Sequence, residues 1–247
     1  MTKLYLILAN KGGVGKSTIA AIVAEYLLRE DSQTICIDLD PENATFCLYE
    51  TLNVHHIQIK DNETNEIDKG KFDELIEIII ENKERNIVID TGASTFNSMG
   101  NYFLENSILE LLKEEEIELI IISIVAGGGN TLDSLQGFST LTEAFDAEFI
   151  VFNNQLMGST VLNGKQLYET KVYIEADNKG VILGTVNIPE KSEYITKDIV
   201  QMTKDRITFL DLKSNTSFKM MQKRRLIVYR NEIWNQLNEI LGGQDAK

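Results

Sequence analysis

The residues best suited to chemistry form a glycine-rich loop near the amino terminus. Residues 10–18 read Asn-Lys-Gly-Gly-Val-Gly-Lys-Ser-Thr, between an apolar run and an amphipathic segment. Glycine lets successive backbone N–H groups turn toward one anion, and a helix that begins there adds the positive end of its dipole. The pattern therefore predicts a phosphate-binding loop formed by Gly12, Gly13, Val14, Gly15, Lys16, Ser17 and Thr18.

Two side chains of this loop suit particular roles. Lys16 would reach the β- and γ-phosphates of a nucleotide as a point charge, and the Ser17 hydroxyl would complete the shell of a magnesium ion. The ordinary phosphate-loop pattern has glycine at position 10, where this chain has Asn10, and an extra lysine, Lys11, precedes the glycines. The alternative, a glycine turn that binds nothing, is disfavoured because the loop lies between a predicted strand and a predicted helix.

Three aspartates at the ends of apolar runs are candidate ligands for a metal or a water molecule. Asp38 and Asp40 lie two residues apart at the end of one run, so their side chains share one face of a strand. Asp90 ends the run Asn86–Asp90, an arrangement that holds magnesium, usually through water. The alternatives are that Asp40-Pro41 only terminates a strand and that Asp90 is simply the acid with which a buried strand finishes.

The elements that must position these residues alternate along the chain. Short continuous apolar runs, typical of strands covered on both faces, alternate with longer amphipathic segments. This pattern predicts an α/β fold in which a single domain spans residues 1–247, with a mostly parallel central sheet and helices on both faces. The predicted strands are Leu4–Ala9, Thr34–Leu39, Asn86–Asp90, Glu118–Val125, Glu148–Asn153 and Val181–Ile188.

Amphipathic segments predict the helices. The first begins directly after the glycine loop, where apolar residues recur at helical spacing. The stripe comprises Ile19, Ile22, Val23, Tyr26 and Leu27, and similar patterns cover Phe72–Ile80, Tyr102–Leu112 and Leu132–Phe145. Asn53–Lys71 is predicted to be a surface excursion, and Gln155–Asn178 is compatible with a helix or a hairpin. After Pro189, a helical segment from about residue 190 to 242 is expected to pack on the sheet and to stop near Gly242-Gly243.

Composition limits the function. The chain has 247 residues, 43% of them hydrophobic, enough for one sizeable core. A net charge of −14 excludes a protein that coats nucleic acid with its whole surface, so any DNA contact must be local. The two cysteines, Cys36 and Cys47, favour reduced thiols and a cytoplasmic location. The apolar runs are too short and too often interrupted by charge to span a bilayer.

The glycine loop resembles the deviant Walker A loop of the partition and septum-site ATPases, the ParA/MinD superfamily of P-loop NTPases. That loop reads lysine, two glycines, any residue, glycine, lysine, then serine or threonine. The resemblance implies that the chain binds Mg-ATP, hydrolyses it slowly without a partner, and forms a homodimer on ATP binding. Lys11 would then cross the two-fold interface to the nucleotide of the other copy.

The same resemblance implies roles for the carboxylates. Asp40 would lie in switch I beside the attacking water, and Asp38 would support the metal through hydrogen bonds. The catalytic candidates are Lys11, Lys16 and Asp40, and the metal candidates are Ser17, Asp38 and Asp90.

A second resemblance concerns the segments that follow two of these acids. Residues 40–46 read Asp-Pro-Glu-Asn-Ala-Thr-Phe, residues 90–96 read Asp-Thr-Gly-Ala-Ser-Thr-Phe, and Ile188-Pro189 follows later. These segments resemble the TraL-type conjugal transfer proteins of plasmids, a branch of the same superfamily. The resemblance implies a role in plasmid conjugal transfer or maintenance, with a possible plasmid-encoded protein partner. The wider family usually has prolines after the acid at position 90, so the switch II loop departs from the common pattern here.

Adenine recognition is assigned to the ends of two later strands. Asn153 or Asn154 could read the base, since an amide both donates to and accepts from a purine edge; a simple turn is the alternative. Residues 184–189 resemble the family's strand and proline loop beside the adenine, which makes Asn153 and Pro189 the candidates. The Asn-Lys-x-Asp signature of guanine-binding GTPases is missing, which favours ATP over GTP.

The segment from Lys213 to Arg230 contains six basic residues and no acidic one. Non-specific DNA contact, as in dimeric partition ATPases, and the solvated face of a packed helix both explain this composition. Membrane attachment is disfavoured, because Asn and Glu rather than Lys and Arg lie opposite the apolar stripe of the last helix. The pair His55-His56 has no third ligand nearby, so a metal site there is not expected.

Three classes of function remain open. A conjugal-transfer or partition ATPase predicts ATP-dependent dimers. A nucleotide-dependent binding module that has lost turnover predicts tight ATP binding without phosphate release. A metabolic P-loop enzyme or iron–sulfur relative predicts a substrate pocket or cluster cysteines, and no cysteine follows Cys47.

Overall fold

A computed structural model describes residues 2–30, 33–61, 63–64 and 66–242. Seven strands form its central sheet: β1 (Thr2–Ile7), β2 (Ile35–Leu39), β3 (His55–His56), β4 (Ile87–Thr91), β5 (Ile117–Ala126), β6 (Glu148–Asn154) and β7 (Ile182–Ile188). Their order across the sheet is β3-β2-β4-β1-β5-β6-β7. Every pairing between these neighbours is parallel, as the sequence predicted.

Within the described residues, eight α-helices connect or cover the strands. They are α1 (Lys16–Glu30), α2 (Lys71–Glu81), α3 (Thr95–Glu105), α4 (Ile108–Glu114), α5 (Thr131–Ala144), α6 (Lys171–Asn178), α7 (Glu193–Lys204) and α8 (Met220–Leu241). Short 3-10 helices add one turn each at Phe46–Leu48, Glu50–Leu52, Leu167–Glu169 and Asp211–Lys213. Among the described residues, every helix is too short or too polar to cross a bilayer.

The sheet separates two hydrophobic cores. Successive side chains of a strand point to opposite faces, so Tyr5 and Ile7 of β1 pack in the core under α1 and α8. Leu4 and Leu6 pack in the other core, with α2 to α5. Burial on both faces explains why the strands are almost continuously apolar and could be recognised as parallel strands from the sequence.

The last helix also covers the edge strand β7. Gly184 lies so close to Ile240 of α8 that an added Cβ would come within 2.5 Å of its Cγ1. The side-chain amide of Gln236 accepts a hydrogen bond from Asn187 N at 2.7 Å and donates one to Asn187 O at 3.1 Å. The helical segment predicted after Pro189 therefore packs on the sheet, although loops and one 3-10 helix interrupt it.

Most predicted elements are present, with three differences. The six predicted strands agree with observed strands to within two residues at each end, but β3 was missed because it consists of only two polar residues. The segment Tyr102–Leu112 was predicted as one helix, and it is divided between α3 and α4 because Ser107 has a left-handed backbone, φ 51°. Residues 155–178 are mainly irregular, with an isolated antiparallel bridge between Leu162 and Lys165 before α6.

The predicted helix stop agrees with the structure as far as the chain is described. Gly242 adopts a left-handed conformation, φ 75°, and its N–H donates to the carbonyl oxygen of Asn238. Gly243, the second glycine of the predicted stop, lies outside the described residues.

Candidate nucleotide site

The glycine loop connects the end of β1 to the start of α1 at the carboxyl edge of the sheet. Gly13 and Gly15 have φ values of 76° and 100°, which L side chains rarely adopt. These turns bring the chain directly into α1, whose first-turn N–H groups lack partners within the helix. The loop geometry and the helix dipole together suit an anion, and phosphate binding at this loop stays a prediction.

Lys16 lies at the inner side of this loop. Only 8% of its surface is exposed, and its Nζ donates to the carbonyl oxygen of Lys11 at 2.9 Å. Burial lowers the pKa of the Lys16 ammonium from its usual value, and the charges of Asp90 and Asp40 partly oppose this shift. The lysine is therefore held across the loop, beside two carboxylates.

Asp90 is the most unusual acid of the site. It is fully buried beside Asp38 in the register of β4 and β2, and neither of its carboxylate oxygens accepts a hydrogen bond from the described residues. Burial raises the pKa of Asp90 to about 7, and the nearby Ser17 hydroxyl partly opposes this. A buried carboxylate without a partner is costly, and a cation beside it would remove that cost. Asp90 and Ser17 therefore fit a magnesium ion.

Asp38 holds the loop that follows β2. Its two carboxylate oxygens accept hydrogen bonds from the backbone N–H groups of Asp40 at 2.9 Å and Cys47 at 3.1 Å. Burial raises the pKa of Asp38, and these two backbone bonds partly oppose the rise. Asp38 thus fixes the position of Asp40 through the backbone.

Asp40 points into a turn and borders the loop after β4. Its Oδ1 accepts from the backbone N–H groups of Glu42 at 2.9 Å and Asn43 at 3.2 Å. A Cβ on Gly92 would lie 2.8 Å from the same oxygen and 3.0 Å from Pro41 Cδ. The glycine in the unusual switch II sequence therefore makes room for the Asp40 carboxylate.

A cavity of about 720 Å³ contains the predicted loop. Its lining includes the polar groups of Gly12, Gly13, Gly15, Lys16, Ser17, Thr18 and Asp40. It also includes the apolar side chains of Leu156, Ile188, Ile199 and Val200. The cavity therefore offers both polar groups that suit phosphates and apolar surface that suits a flat ring system.

The comparisons with known proteins agree with this arrangement. Residues 5–224 match the family described as the CobQ/CobB/MinD/ParA nucleotide binding domain. The chain belongs to this nucleotide-binding family. Two proteins of Escherichia coli, each named Protein TraL, are 37% and 35% identical to it over 241 and 240 residues, which is 96% of this chain and 98% of each relative.

The fold is also that of a solved family member. A chain of the MinC:MinD cell division protein complex of Aquifex aeolicus superposes with a TM-score of 0.52 at 17% identity, covering 100% of this chain and 98% of that one. At this identity the likeness concerns the fold alone.

The extra lysine of the family loop has a partner within the same chain. Lys11 Nζ lies 2.7 Å from Asp133 Oδ2, and the two side chains are 44% and 45% exposed. Asn10, which replaces the usual glycine, donates through Nδ2 to the carbonyl oxygen of Asp133 at 3.1 Å. Sequence reasoning missed Asp133, and its one local signal was an acid in the first turn of the helix that follows Gly127–Gly129.

The two asparagines proposed for adenine have different surroundings. Asn154 lines the cavity, and its Nδ2 donates to the carbonyl oxygen of Val14 at 3.0 Å. Asn153 is buried, with its Nδ2 bonded to Asn187 Oδ1 at 2.9 Å and its Oδ1 accepting from Thr160 at 2.7 Å. Ile188 lines the cavity, whereas Pro189 is exposed.

Only some of the basic residues between Lys213 and Arg230 are exposed and so available for contact with DNA. Lys213, Lys219 and Arg224 are exposed. Arg225 instead donates to buried Asp198 at 2.6 Å, and Arg230 lies over the Trp234 ring. Among the described residues, no group of three His, Cys, Asp or Glu side chains is arranged to hold a metal, so the pair His55-His56 on β3 remains without such a group.

Proposed function

We propose that this chain binds Mg-ATP, hydrolyses it slowly and acts as a nucleotide-dependent switch in plasmid conjugal transfer or maintenance. The observation that supports nucleotide and metal binding best is the fully buried carboxylate of Asp90, which lies near Ser17 and Lys16, two residues that line the cavity. The similarity to two TraL proteins over nearly the whole chain supports the cellular role.

The residues of the site divide the work of phosphoryl transfer. Backbone N–H groups of the glycine loop and Lys16 would bind the phosphates, while Ser17 and Asp90 would hold magnesium, the latter through water. Bound magnesium supplies positive charge that offsets the charge on the β- and γ-phosphates. Asp40 would orient the attacking water, and Asp38 would keep Asp40 in place through the backbone bonds described above.

Dimerisation on ATP binding is proposed from Lys11. The Lys11 side chain is nearly half exposed and is paired with an equally exposed Asp133. Because an exposed ion pair contributes little free energy, breaking this pair costs little. A nucleotide on a second copy offers a stronger anion than this surface pair does. Lys11 would exchange Asp133 for the phosphates of the other copy.

Base recognition is proposed for the apolar lining of the cavity. Of the two candidate asparagines, Asn154 lines the cavity, whereas the Asn153 amide already has two protein partners; Pro189 is exposed and follows Ile188, which lines the cavity. Asn153 and Pro189 therefore remain predictions. Each would influence the base indirectly, Asn153 through its hydrogen bond to Asn187 and Pro189 through the preceding Ile188.

The proposal is tested by light scattering coupled to size-exclusion chromatography with ATP, with ADP and without nucleotide, in magnesium. The wild type should be dimeric with ATP only, and Lys11→Ala should remain monomeric while still binding ATP. Lys16→Ala should not bind ATP, and Lys113→Ala, which removes an exposed lysine paired with Asp146, should behave as the wild type. Monomeric wild type in every condition would disprove the dimer switch.

A binding module with little turnover is the second candidate, and one observation favours it. The Asp40 oxygen nearest Gly92 is already occupied by two backbone N–H groups. A phosphate-release assay separates the two candidates: release above that of Lys16→Ala supports an ATPase, and tight ATP binding without release supports the module.

A partition ATPase that binds DNA non-specifically is the third candidate. It is supported by the exposed side chains of Lys213, Lys219 and Arg224 on an otherwise acidic protein.

A further inference from the structure

Arg206 has a backbone conformation that its residue type does not favour. Its φ is 55°, in the left-handed region that costs a residue with a Cβ roughly 1 kcal/mol or more. Asn and Asp partly offset this cost through local hydrogen bonds of their short side chains, which a long arginine side chain does not do in the same way. This conformation ends α7, where the N–H groups of Arg206 and Ile207 donate to the carbonyl oxygens of Thr203 at 3.3 Å and Met202 at 3.1 Å.

The side chain of Arg206 lies at the nucleotide cavity. Arg206 follows α7 by two residues, is half-buried, and lines the same cavity as Gly12, Lys16 and Thr18. Its Nη1 donates to the carbonyl oxygen of Thr203 at 2.5 Å. Because a guanidinium group has five N–H donors, this bond and a contact with Tyr49 leave donors for another partner.

Tyr49 connects Arg206 to the phosphate loop. The tyrosine is only 3% exposed and comes from the segment after Asp40 and its turn. Burial raises the pKa of its hydroxyl, and the side chains of Thr18 and Arg206, both in polar contact with it, partly oppose the rise. Thr18 directly follows Ser17, so Arg206 lies one side chain away from the loop that would bind phosphate.

The charges of the cavity also suit an anion at this position. Among the described residues that line it, Lys16, Lys204 and Arg206 are cationic, and Asp40 and Glu42 are anionic. Lys16 and Ser17 are assigned to the β- and γ-phosphates and their metal. The β- and γ-phosphates therefore do not account for the two cations at the end of α7, Lys204 and Arg206.

We infer that Arg206 is a nucleotide-binding residue, which donates to the α-phosphate and ribose side of the bound nucleotide and, through Tyr49, positions Thr18. The inference rests on the proposed binding of ATP.

The test compares affinity and stability in the same variants. Calorimetric titration with ATP and with ADP, in magnesium, is carried out on the wild type, Arg206→Gly, Arg206→Lys and Glu116→Gly. Arg206→Gly should weaken both nucleotides about 10-fold or more, because both contain the α-phosphate. Arg206→Lys keeps the charge and should recover part of the affinity.

Glu116→Gly is the matched control for backbone strain. Glu116 is exposed, has a φ of 58°, and is not among the residues that line the cavity. Without nucleotide, both glycine variants should unfold at the same temperature as the wild type or up to about 4 °C higher, since strain is relieved. Only Arg206→Gly should lose affinity.

The outcomes separate this inference from the proposed function. If the wild type binds neither nucleotide, the proposed function is wrong and the inference falls with it. If the wild type binds and Arg206→Gly binds equally well, the inference alone is wrong. A fall of several degrees in the unfolding temperature of Arg206→Gly, together with its lower affinity, would show that Arg206 is only structural and would also overturn it.

Discussion

At the carboxyl edge of the sheet, the close approach of Gly92 to the Asp40 carboxylate limits how the proposed site can act. A Cβ at Gly92 would lie 2.8 Å from Asp40 Oδ1, so the loops after β2 and β4 approach each other closely at this point. In a nucleotide switch, the two loops that sense the γ-phosphate must respond together. This close approach would connect the two loops in the proposed switch.

Gly92→Ala should slow hydrolysis while leaving ATP binding largely intact. The added methyl group would lie 2.8 Å from Asp40 Oδ1 and would displace that carboxylate from the water it orients. We expect a decrease of about 10-fold or more in the rate of phosphate release, because general-base and orienting groups contribute at least that much. The measurement is single-turnover phosphate release with calorimetric affinity alongside.

Gly100→Ala is the control for this prediction. Gly100 lies within α3, where a Cβ would meet only Phe145 at an ordinary 3.9 Å and where alanine favours the helix. Its turnover should equal that of the wild type. A Gly92→Ala protein with the same rate would show that Asp40 tolerates displacement.

Among the elements, α7 and α8 are joined through a partly buried ion pair. Arg225 donates to Asp198, whose other oxygen accepts from Gln222 at 2.9 Å. The side chains of the pair are 26% and 6% exposed. The composition of the basic segment does not distinguish this arginine from its exposed neighbour, Arg224.

Arg225→Ala should lower the free energy of unfolding by about 2–3 kcal/mol, because it leaves the buried carboxylate of Asp198 without its cation. Arg224→Ala removes an identical charge from the exposed side of the same helix and should change stability by less than about 0.5 kcal/mol. Urea denaturation of both variants measures the difference. Equal effects would mean that Asp198 finds another partner.

DNA contact is a separate property of this segment. Replacing exposed Lys219 and Arg224 together by alanine should weaken retention of DNA in the ATP state and reduce its salt dependence by about one unit for each lost phosphate contact. The double variant Lys69→Ala/Lys113→Ala makes the same change of net charge at other exposed sites, in the turn before α2 and on α4. Equal retention by both double variants would argue against a specific surface.

Elements with strong local signals could be predicted, whereas contacts between distant segments could not. β1, β4 and β5 were predicted because strands buried on both faces are continuously apolar, and the glycine loop because its residue order matches one function. The break at Ser107 depends on one backbone angle. The pairing of Lys11 with Asp133 joins residues 122 apart in the chain, and the contact of Gly92 with Asp40 depends on the register of β2 and β4.

At the scale of the whole molecule, a buried acid makes stability depend on pH. Glu25 of α1 is 1% exposed and accepts from Leu210 N at 2.8 Å. Burial raises its pKa from 4.5 to about 7, with Asp211 adding to the rise and the backbone bonds and Arg230 opposing it. Because the folded state binds this proton more tightly than the unfolded state does, the stability it contributes is complete below pH 4.5 and is lost as the pH rises through 7.

Glu25→Gln should remove this dependence, since the amide oxygen can still accept from Leu210. Between pH 5 and pH 8, the stability of the wild type should fall relative to that of the variant by an amount on the order of 3 kcal/mol. Urea denaturation of both proteins at several pH values provides the comparison, and other titrating groups cancel in the difference. Parallel curves would show that Glu25 titrates as an ordinary surface acid.

The amide of Gln236 has a consequence for how copies of this chain can meet. An exposed edge of a sheet invites another strand to add to it, which leads to open-ended aggregates. By bonding to both the N–H and the C=O of Asn187, this one side chain occupies the place that the backbone of such a strand would take. Extension of the sheet by a second copy is thereby blocked at this position of β7, and the proposed pairing of two copies would have to use another surface.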